Sequence, residues 1–265
     1  MLKHTALVQV LAHLKKKDTP FAVIDAHAGR GVYDLSSTEA KKTGEAEGGI
    51  LRVLGEANLP EPLAQYREIV RLFGEGRYPG SPLIAAKMLR PNDRLVAIEK
   101  HPEEFAALAA SLAGVKRARA IEGDFRIHLK SLLPPPERRG VVLFDPPYEA
   151  EDEFIEAARA IIESWRRFAT GIYLLWYPAK HRPSVDAAAG EVLNAGISSL
   201  LRLDLDIGSA QTAGDAGRGP PMSATGLLVI NPPYAFADQM SVVLGTLTTL
   251  LGREGANSSV TSLAG

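Results

Sequence analysis

The sequence predicts an α/β fold: a mostly parallel sheet of seven strands, an antiparallel hairpin at one edge and a small helical insertion. Three observations carry this. Short apolar runs rich in branched residues alternate with segments of helical periodicity, as in βαβ units with helices on both sheet faces. The last two runs, 200–207 and 227–231, are joined by a Gly/Pro-rich stretch (208–221) without a helix, so they pair antiparallel. Between a glycine turn at 28–31 and a helix opening near Ser81, one long stretch has helical rather than strand-like patterning.

Taken in order, Leu7, Val10, Leu11 and Leu14 recur at helical spacing and predict an amphipathic surface helix at the N-terminus. The first strand covers 21–25. Residues 33–78 read as the insertion: Leu63, Tyr66, Val70 and Phe73 form one apolar stripe, entered through Pro60 and Pro62. Tyr78-Pro79-Gly80-Ser81-Pro82 closes it, with Ser81 as N-cap and Pro82 at the first helical position. Strands over 95–99, 119–122, 141–145 and 171–177 then alternate with helices over 83–89, 103–112, 125–132, 151–168 and 183–195. The expected organisation is a main domain of residues 1–32 and 79–251, an insertion subdomain of 33–78, and a flexible tail of 252–265, which is small and polar.

A chain of 265 residues can bury a large single core. It has no cysteine, which excludes disulfides, thiolate metal sites and a cysteine nucleophile and fits a reducing cytosol. Its six histidines show no metal-ligand spacing, and no metal is expected. No stretch approaches the ~20 apolar residues of a membrane span. A net charge of −1 argues against broad, non-specific nucleic-acid binding but leaves room for a local basic face. The short runs at Lys15-Lys16-Lys17, Lys41-Lys42, Arg138-Arg139, Arg166-Arg167 and Lys180-His181-Arg182 each read as solvated surface.

The chemistry concentrates at Asp145-Pro146-Pro147-Tyr148, directly after the apolar run Val141-Val142-Leu143-Phe144. The Asp145 carboxylate and Pro146 carbonyl are acceptors suited to the two hydrogens of a planar NH2. The prolines fix the backbone that aims them, and Tyr148 offers a ring face for a base. Three further acids close the earlier strands. Asp25 precedes the turn His27-Ala28-Gly29, where it can orient a loop whose glycine admits a ligand. Glu99 is placed to accept from both hydroxyls of a ribose. Asp124, before Phe125, can take the amino group of an adenine. Any one acid reads equally well as a helix cap; four in order beside a glycine turn point to one shared site, at the edge where open α/β sheets bind ligands.

This order resembles the amino-group methyltransferases that use S-adenosylmethionine, whose fold is Rossmann-like. Leu2-Lys3-His4-Thr5, Asp25-Ala26-His27-Ala28-Gly29, Lys42-Thr43-Gly44-Glu45, Tyr78-Pro79-Gly80-Ser81-Pro82, Asp145-Pro146-Pro147-Tyr148, Arg167-Phe168-Ala169-Thr170-Gly171, Leu175-Trp176-Tyr177-Pro178 and Ile230-Asn231-Pro232-Pro233 are together similar to the bacterial RlmJ family, over the chain to about Tyr234. Those enzymes methylate N6 of one adenine in 23S ribosomal RNA. The resemblance implies S-adenosylmethionine as cofactor, contacts to it from His4, His27, Ser81, Glu99, Asp124 and Phe125, and a catalytic role for Asp145. With the direct reading, Asp25 and Gly29 join the cofactor set, and Pro146 and Tyr148 join Asp145. The expected partner is 23S ribosomal RNA, protein-free or early in assembly, met by a cytoplasmic monomer. In the family a short segment rich in aromatic and histidine residues precedes Leu-Lys-His. Here Met1 stands at that motif, so the expectation is either a start codon placed too late or a version that lacks part of its base-binding surface.

Asn231-Pro232-Pro233-Tyr234 rivals the first tetrapeptide, but it follows the last strand and reads as a structural turn. Trp176 and Tyr177 read as core or rim packing by default, with lining of the base pocket as the minor alternative, and His13, His101, His128 and His181 as structural or surface histidines. Two other functions stay open: methyl transfer to a DNA adenine, a cytosine or a protein glutamine, and non-catalytic RNA binding on the same scaffold.

Overall fold

The computed structural model describes residues 1–37, 49–148, 153–179, 182–208 and 223–263. The Lys42-Thr43-Gly44-Glu45 motif, the Lys41-Lys42 run, most of the Lys180-His181-Arg182 run and nearly all of the 208–221 loop lie outside them.

Five strands form the parallel part of the sheet: β1 (Ala22–Asp25), β4 (Arg94–Glu99), β5 (Ala118–Glu122), β6 (Gly140–Phe144) and β7 (Ile172–Pro178). Their order is β7-β6-β1-β4-β5. β1 sits between β4 and β6, with Asp25 opposite Ala97 on one side and Leu143 on the other. β1 and β6 are buried at every position, as expected for parallel strands covered on both faces. Gly140 permits the close approach, since a Cβ there would stand 2.1 Å from the Ala22 carbonyl oxygen.

β8 (Leu200–Asp206) and β9 (Ala224–Ile230) continue the sheet as the expected hairpin, with β9 antiparallel to both β7 and β8. The sheet does not stop there. β10 (Asn257–Ser262) pairs antiparallel with β8, so the sheet has eight strands rather than seven, and the segment expected as a flexible tail supplies its edge. A Ser/Thr-rich run has too little apolar signal to read as a strand, but an edge position demands little more than Val260 packed on the core.

Alternate residues divide the core between the two faces. Leu95, Ala97, Val141 and Leu143 pack into one cluster, while Val96, Ile98, Val142 and Phe144 pack into the other. The second face is covered by α6 (Phe125–Leu132), α7 (Glu153–Arg167) and α8 (Arg182–Asn194). The first is covered by α1 (Leu2–Lys15), α4 (Ser81–Met88), α5 (Pro102–Leu112) and α9 (Phe236–Leu251). Helix α9, with Phe236, Met240, Val243, Leu244, Leu247 and Leu251 buried at helical spacing, was not anticipated.

The N-terminal helix is not on the surface. Leu2, Leu7, Val8, Val10, Leu11 and Leu14 are buried, and so are His4, Thr5 and Gln9 on the other side. The reason lies in the insertion, whose α2 (Ile50–Gly55) and α3 (Glu61–Arg71) bury Ile50, Val53, Leu63, Tyr66 and Val70 in the same core as α1. Gln9 meets this second layer by donating to the Pro62 carbonyl and to Gln65. The insertion is closed by a two-stranded sheet, β2 (Val32–Asp34) with β3 (Arg77–Pro79), in which Tyr33 faces Tyr78. Helix α4 begins one residue early: Gly80 is its N-cap and Ser81 its first residue.

Candidate active site

The strand order turns four separated acids into neighbours. Asp145 follows β6, Asp25 ends β1, Glu99 ends β4 and Asp124 lies just beyond β5, so the four stand side by side along one sheet edge. Three of them, Glu99, Asp124 and Asp145, border a cleft of ≈ 1080 Å³. Of the expected residues, His4, His27, Gly29, Ser81, Glu99, Asp124, Phe125, Asp145 and Pro146 line it. Asp25 and Tyr148 do not.

Asp25 lies beneath the cleft floor, 1% exposed. Its Oδ1 accepts the His27 amide at 3.3 Å, bracing the turn from below, while Oδ2 is buried with no hydrogen bond of good geometry among the described residues. Burial raises its carboxyl to about 6. Glu99 braces the same turn from the side, since Oε2 accepts the Gly29 amide and Oε1 the His101 amide, both at 2.8 Å. Gly29 has φ +62°, which disfavours any side chain, and a Cβ on it would meet the Tyr33 hydroxyl at 2.4 Å, so that ring would have to shift.

His27 accepts the Asp145 amide through Nδ1 at 3.3 Å and packs against Phe125 in a tilted contact with ring centroids 4.4 Å apart. Burial lowers its imidazole to about 4, so the ring is neutral at physiological pH. Asp124 caps α6, accepting the Arg126 amide at 2.9 Å and the Arg126 guanidinium at 2.7–3.0 Å. That guanidinium holds the Asp124 carboxyl at about 2.

The structure also brings in residues outside the expected site set, among them Trp176, for which lining the base pocket was the minor alternative. Lys3 forms an ion pair with Asp145, and Tyr33, Tyr78 and Trp176 line the cleft. The signals were present: Lys3 precedes His4 in the quoted motif, and Trp176 lies near the end of β7, the strand next to β6. Tyr148 is turned away. Its φ is +55°, its ring packs on Phe154 at 4.2 Å between centroids, and its hydroxyl donates to the Trp176 carbonyl. Trp176, not Tyr148, is the aromatic residue from this corner that lines the cleft, while Tyr148 holds that residue's backbone carbonyl.

Asn231-Pro232-Pro233-Tyr234 lies at the other end of the sheet. β9 runs against β7 with Ile230 opposite Tyr173, so Asn231 emerges at the edge where the parallel strands begin. Its side-chain amide donates to the Ala169 and Gly171 carbonyls at 2.8 and 2.7 Å and staples that turn.

A family model described as "Ribosomal RNA large subunit methyltransferase D, RlmJ" matches residues 18–262. The chain belongs to the RlmJ family. Among relatives of this family member, "Ribosomal RNA large subunit methyltransferase J" of Escherichia coli (strain K12) is 39% identical over 266 residues, covering 99% of this chain and 93% of that protein. The protein of the same name from Haemophilus influenzae is 38% identical over 263 residues, covering 97% and 92%. A crystal structure of a protein from Legionella pneumophila str. Philadelphia 1 superposes with a TM-score of 0.87 at 33% identity, over 98% of this chain and 95% of that one. The RlmJ family thus joins the Rossmann-like sheet to the cleft described above. Among the described residues, no group of three or more His, Asp or Glu could hold a metal ion, and no helix is long and apolar enough to cross a membrane.

Proposed function

We propose that this chain methylates N6 of an adenine in 23S ribosomal RNA, with S-adenosylmethionine as donor. The observation that carries this reading is the single cleft edge on which Asp145 and Pro146 stand beside Gly29, Glu99 and Asp124. The donor fits a floor stripped of side chains at Gly29 and walled by carboxylates. Bound there, it supplies an electrophilic methyl group on a sulfonium.

This chain's residues then do the following. Gly29 and the turn braced by Asp25 and Glu99 let backbone approach the ligand. Glu99, whose oxygens each keep a lone pair beyond the amides they accept, takes the ribose hydroxyls. Asp124 and Phe125 hold the donor's adenine, and His4, His27 and Ser81 complete the pocket. The target adenine leaves its stack and enters beside Trp176. The Asp145 carboxylate and Pro146 carbonyl accept the two N6 hydrogens. The nitrogen lone pair, delocalised into the ring in free adenine, then points at the methyl carbon. Much of the acceleration is positioning. As the nitrogen–methyl bond forms, the methyl–sulfur bond would break and leave a neutral thioether, and the proton would pass from the nitrogen to water late in or after transfer. Lys3, paired with Asp145, keeps an opposite charge beside that carboxylate. Tyr148 acts on the base through Trp176. The enzyme works as a cytoplasmic monomer on protein-free or early-assembly RNA.

The test is transfer of a labelled methyl group from S-adenosylmethionine to protein-free 23S RNA, with duplex DNA as the competing substrate. Label at one adenine N6 of the RNA, absent with Asp145→Ala, is the expected result. Label on DNA alone, or full turnover by Asp145→Ala, would sink the reading.

A further inference from the structure

The cleft is a poor place for a phosphate backbone. Six carboxylates line it, Glu99, Glu104, Asp124, Asp145, Glu153 and Glu156, against the cations Lys3, Lys100 and Arg126. The chain carries a net charge of −1, so no overall field draws a polyanion toward it. Acids suit a sulfonium donor and an amino group, but they repel phosphates. An enzyme that takes a base from RNA into such a cleft needs a local cationic hold outside the rim.

A groove of that kind adjoins the cleft. It has a volume of ≈ 290 Å³ and runs between α6 and α7. Arg126 and Glu156 line both cavities, so the two share a rim. Arg126 pairs with Glu156 at 2.9 Å and with Asp124 at 2.7 Å, which leaves that rim without spare positive charge. Farther along, the groove is lined by Lys130 of α6 and by Arg159 and Arg167 of α7. All three are exposed and form no ion pair among the described residues.

Helix periodicity aligns them. Lys130 follows Arg126 by four residues and Arg167 follows Arg159 by eight, so each pair shares one face of its helix. Arg159 and Arg167 stand about 12 Å apart along α7. That is the length of three or four nucleotides of a stacked strand, at ~3.4 Å each. The floor between the helices includes Ala160 and Ser164, and the Ser164 hydroxyl donates to the Ala160 carbonyl. Its donor is spent, so the groove offers charge to a backbone rather than hydrogen bonds to base edges. One acid, Glu163, lies on the same face between Arg159 and Arg167 and weakens the field.

We propose that the groove between α6 and α7 holds the RNA phosphate backbone where it leaves the cleft, through Lys130, Arg159 and Arg167. The inference rests on the RNA-methylation reading above and supplies the surface that the acidic cleft lacks. The three cations position the strand and take no part in methyl transfer.

The test is binding of protein-free 23S RNA between 0.1 and 1 M salt, by wild type and by the triple variant Lys130→Gln/Arg159→Gln/Arg167→Gln. Each phosphate contact to a single strand adds about 0.7 to the slope of log affinity against log salt. The triple variant should therefore lose about two from the slope, making it about a hundredfold weaker at 0.1 M salt and similar to wild type near 1 M. Glu163→Gln should bind about fivefold tighter at 0.1 M salt, by the same relation. The control is Lys15→Gln/Lys16→Gln/Lys17→Gln, an equal loss of charge at the end of α1, on the other face of the sheet. Its slope should stay near that of wild type. In methyl-transfer assays the groove variant should raise KM for RNA while kcat, S-adenosylhomocysteine affinity and Tm stay near wild type. A slope equal to that of wild type, equal losses in the two triple variants, or unchanged affinity in Glu163→Gln overturns the groove and leaves the methylation reading in place. RNA binding without methyl transfer by wild type overturns the methylation reading, while the slopes still decide the groove. Absence of RNA binding by wild type overturns both.

Discussion

Glu99 accepts the Gly29 amide through one carboxylate oxygen and the His101 amide through the other, each at 2.8 Å, so a single side chain joins the turns that follow β1 and β4. A glutamine in its place offers one acceptor and turns an NH2 toward the second amide. Glu99→Gln should weaken S-adenosylhomocysteine about tenfold by calorimetry, as expected for losing about 1.4 kcal/mol of hydrogen bonding. Its Tm should fall by only about 2–4 °C. Undiminished affinity would remove Glu99 from the cofactor site.

Asp145 and Asn231 head two nearly identical tetrapeptides at opposite edges of the sheet. Their alanine variants should fail in opposite ways. Asn231→Ala frees two carbonyls and costs about 2 kcal/mol of stability, with turnover per folded molecule near wild type. Asp145→Ala should keep its Tm and its cofactor affinity while losing methyl transfer. Thermal melts paired with single-turnover assays separate them. A selective loss of turnover in Asn231→Ala would reverse the assignment.

Gly29→Ala places a methyl group where the Tyr33 hydroxyl stands and forces φ +62° on a residue with a Cβ. The backbone cost is about 1–2 kcal/mol. Cofactor affinity should fall by more than this strain alone predicts, because the methyl also enters the cleft. Pairing it with Tyr33→Ala should recover part of the stability but little of the affinity. Comparing melts with calorimetry for the single and double variants decides this.

Asp25 is buried and its carboxyl is raised from 3.8 to about 6. The folded state therefore holds this proton more tightly than the unfolded state, and the group lowers stability as pH rises from about 4 to about 6. A shift of about two units amounts to about 3 kcal/mol once the window is crossed. His27, held near 4, titrates with the opposite sign over much of the same range, so the wild-type curve alone conceals the effect. The stability of Asp25→Asn relative to wild type should rise between pH 4 and pH 7, measured by denaturant unfolding. A flat difference would show that Asp25 does not titrate there.

Four of the five parallel strands, β1, β4, β5 and β6, were legible because an acid stands at or just beyond the end of each, and they have to be adjacent for the acids to share one edge; β7 has no such acid and was legible from its apolar run alone. The same logic separated Asp145 from Asn231. Helix α1 was misplaced because periodicity reports only the apolar stripe: His4, Thr5 and Gln9 look like a solvent face until Tyr78 and Pro62 arrive from the insertion. β10 escaped because an edge strand of serines and threonines carries almost no hydrophobic signal. Tyr148 pointed away from its expected place because a left-handed φ is invisible in a tetrapeptide, and only the Trp176 carbonyl explains why the ring is held there.

β10 also bears on how the molecule behaves in crowded solution. Without it, β8 would present a seven-residue row of backbone donors and acceptors next to Leu201, Leu203 and Leu205, a template for intermolecular strand pairing. The Ser/Thr-rich strand occupies that row and shows the outside a face with little to bury. Deleting 257–262 should leave the distant cleft intact and yet yield a protein that self-associates on standing, its sheets joined edge to edge.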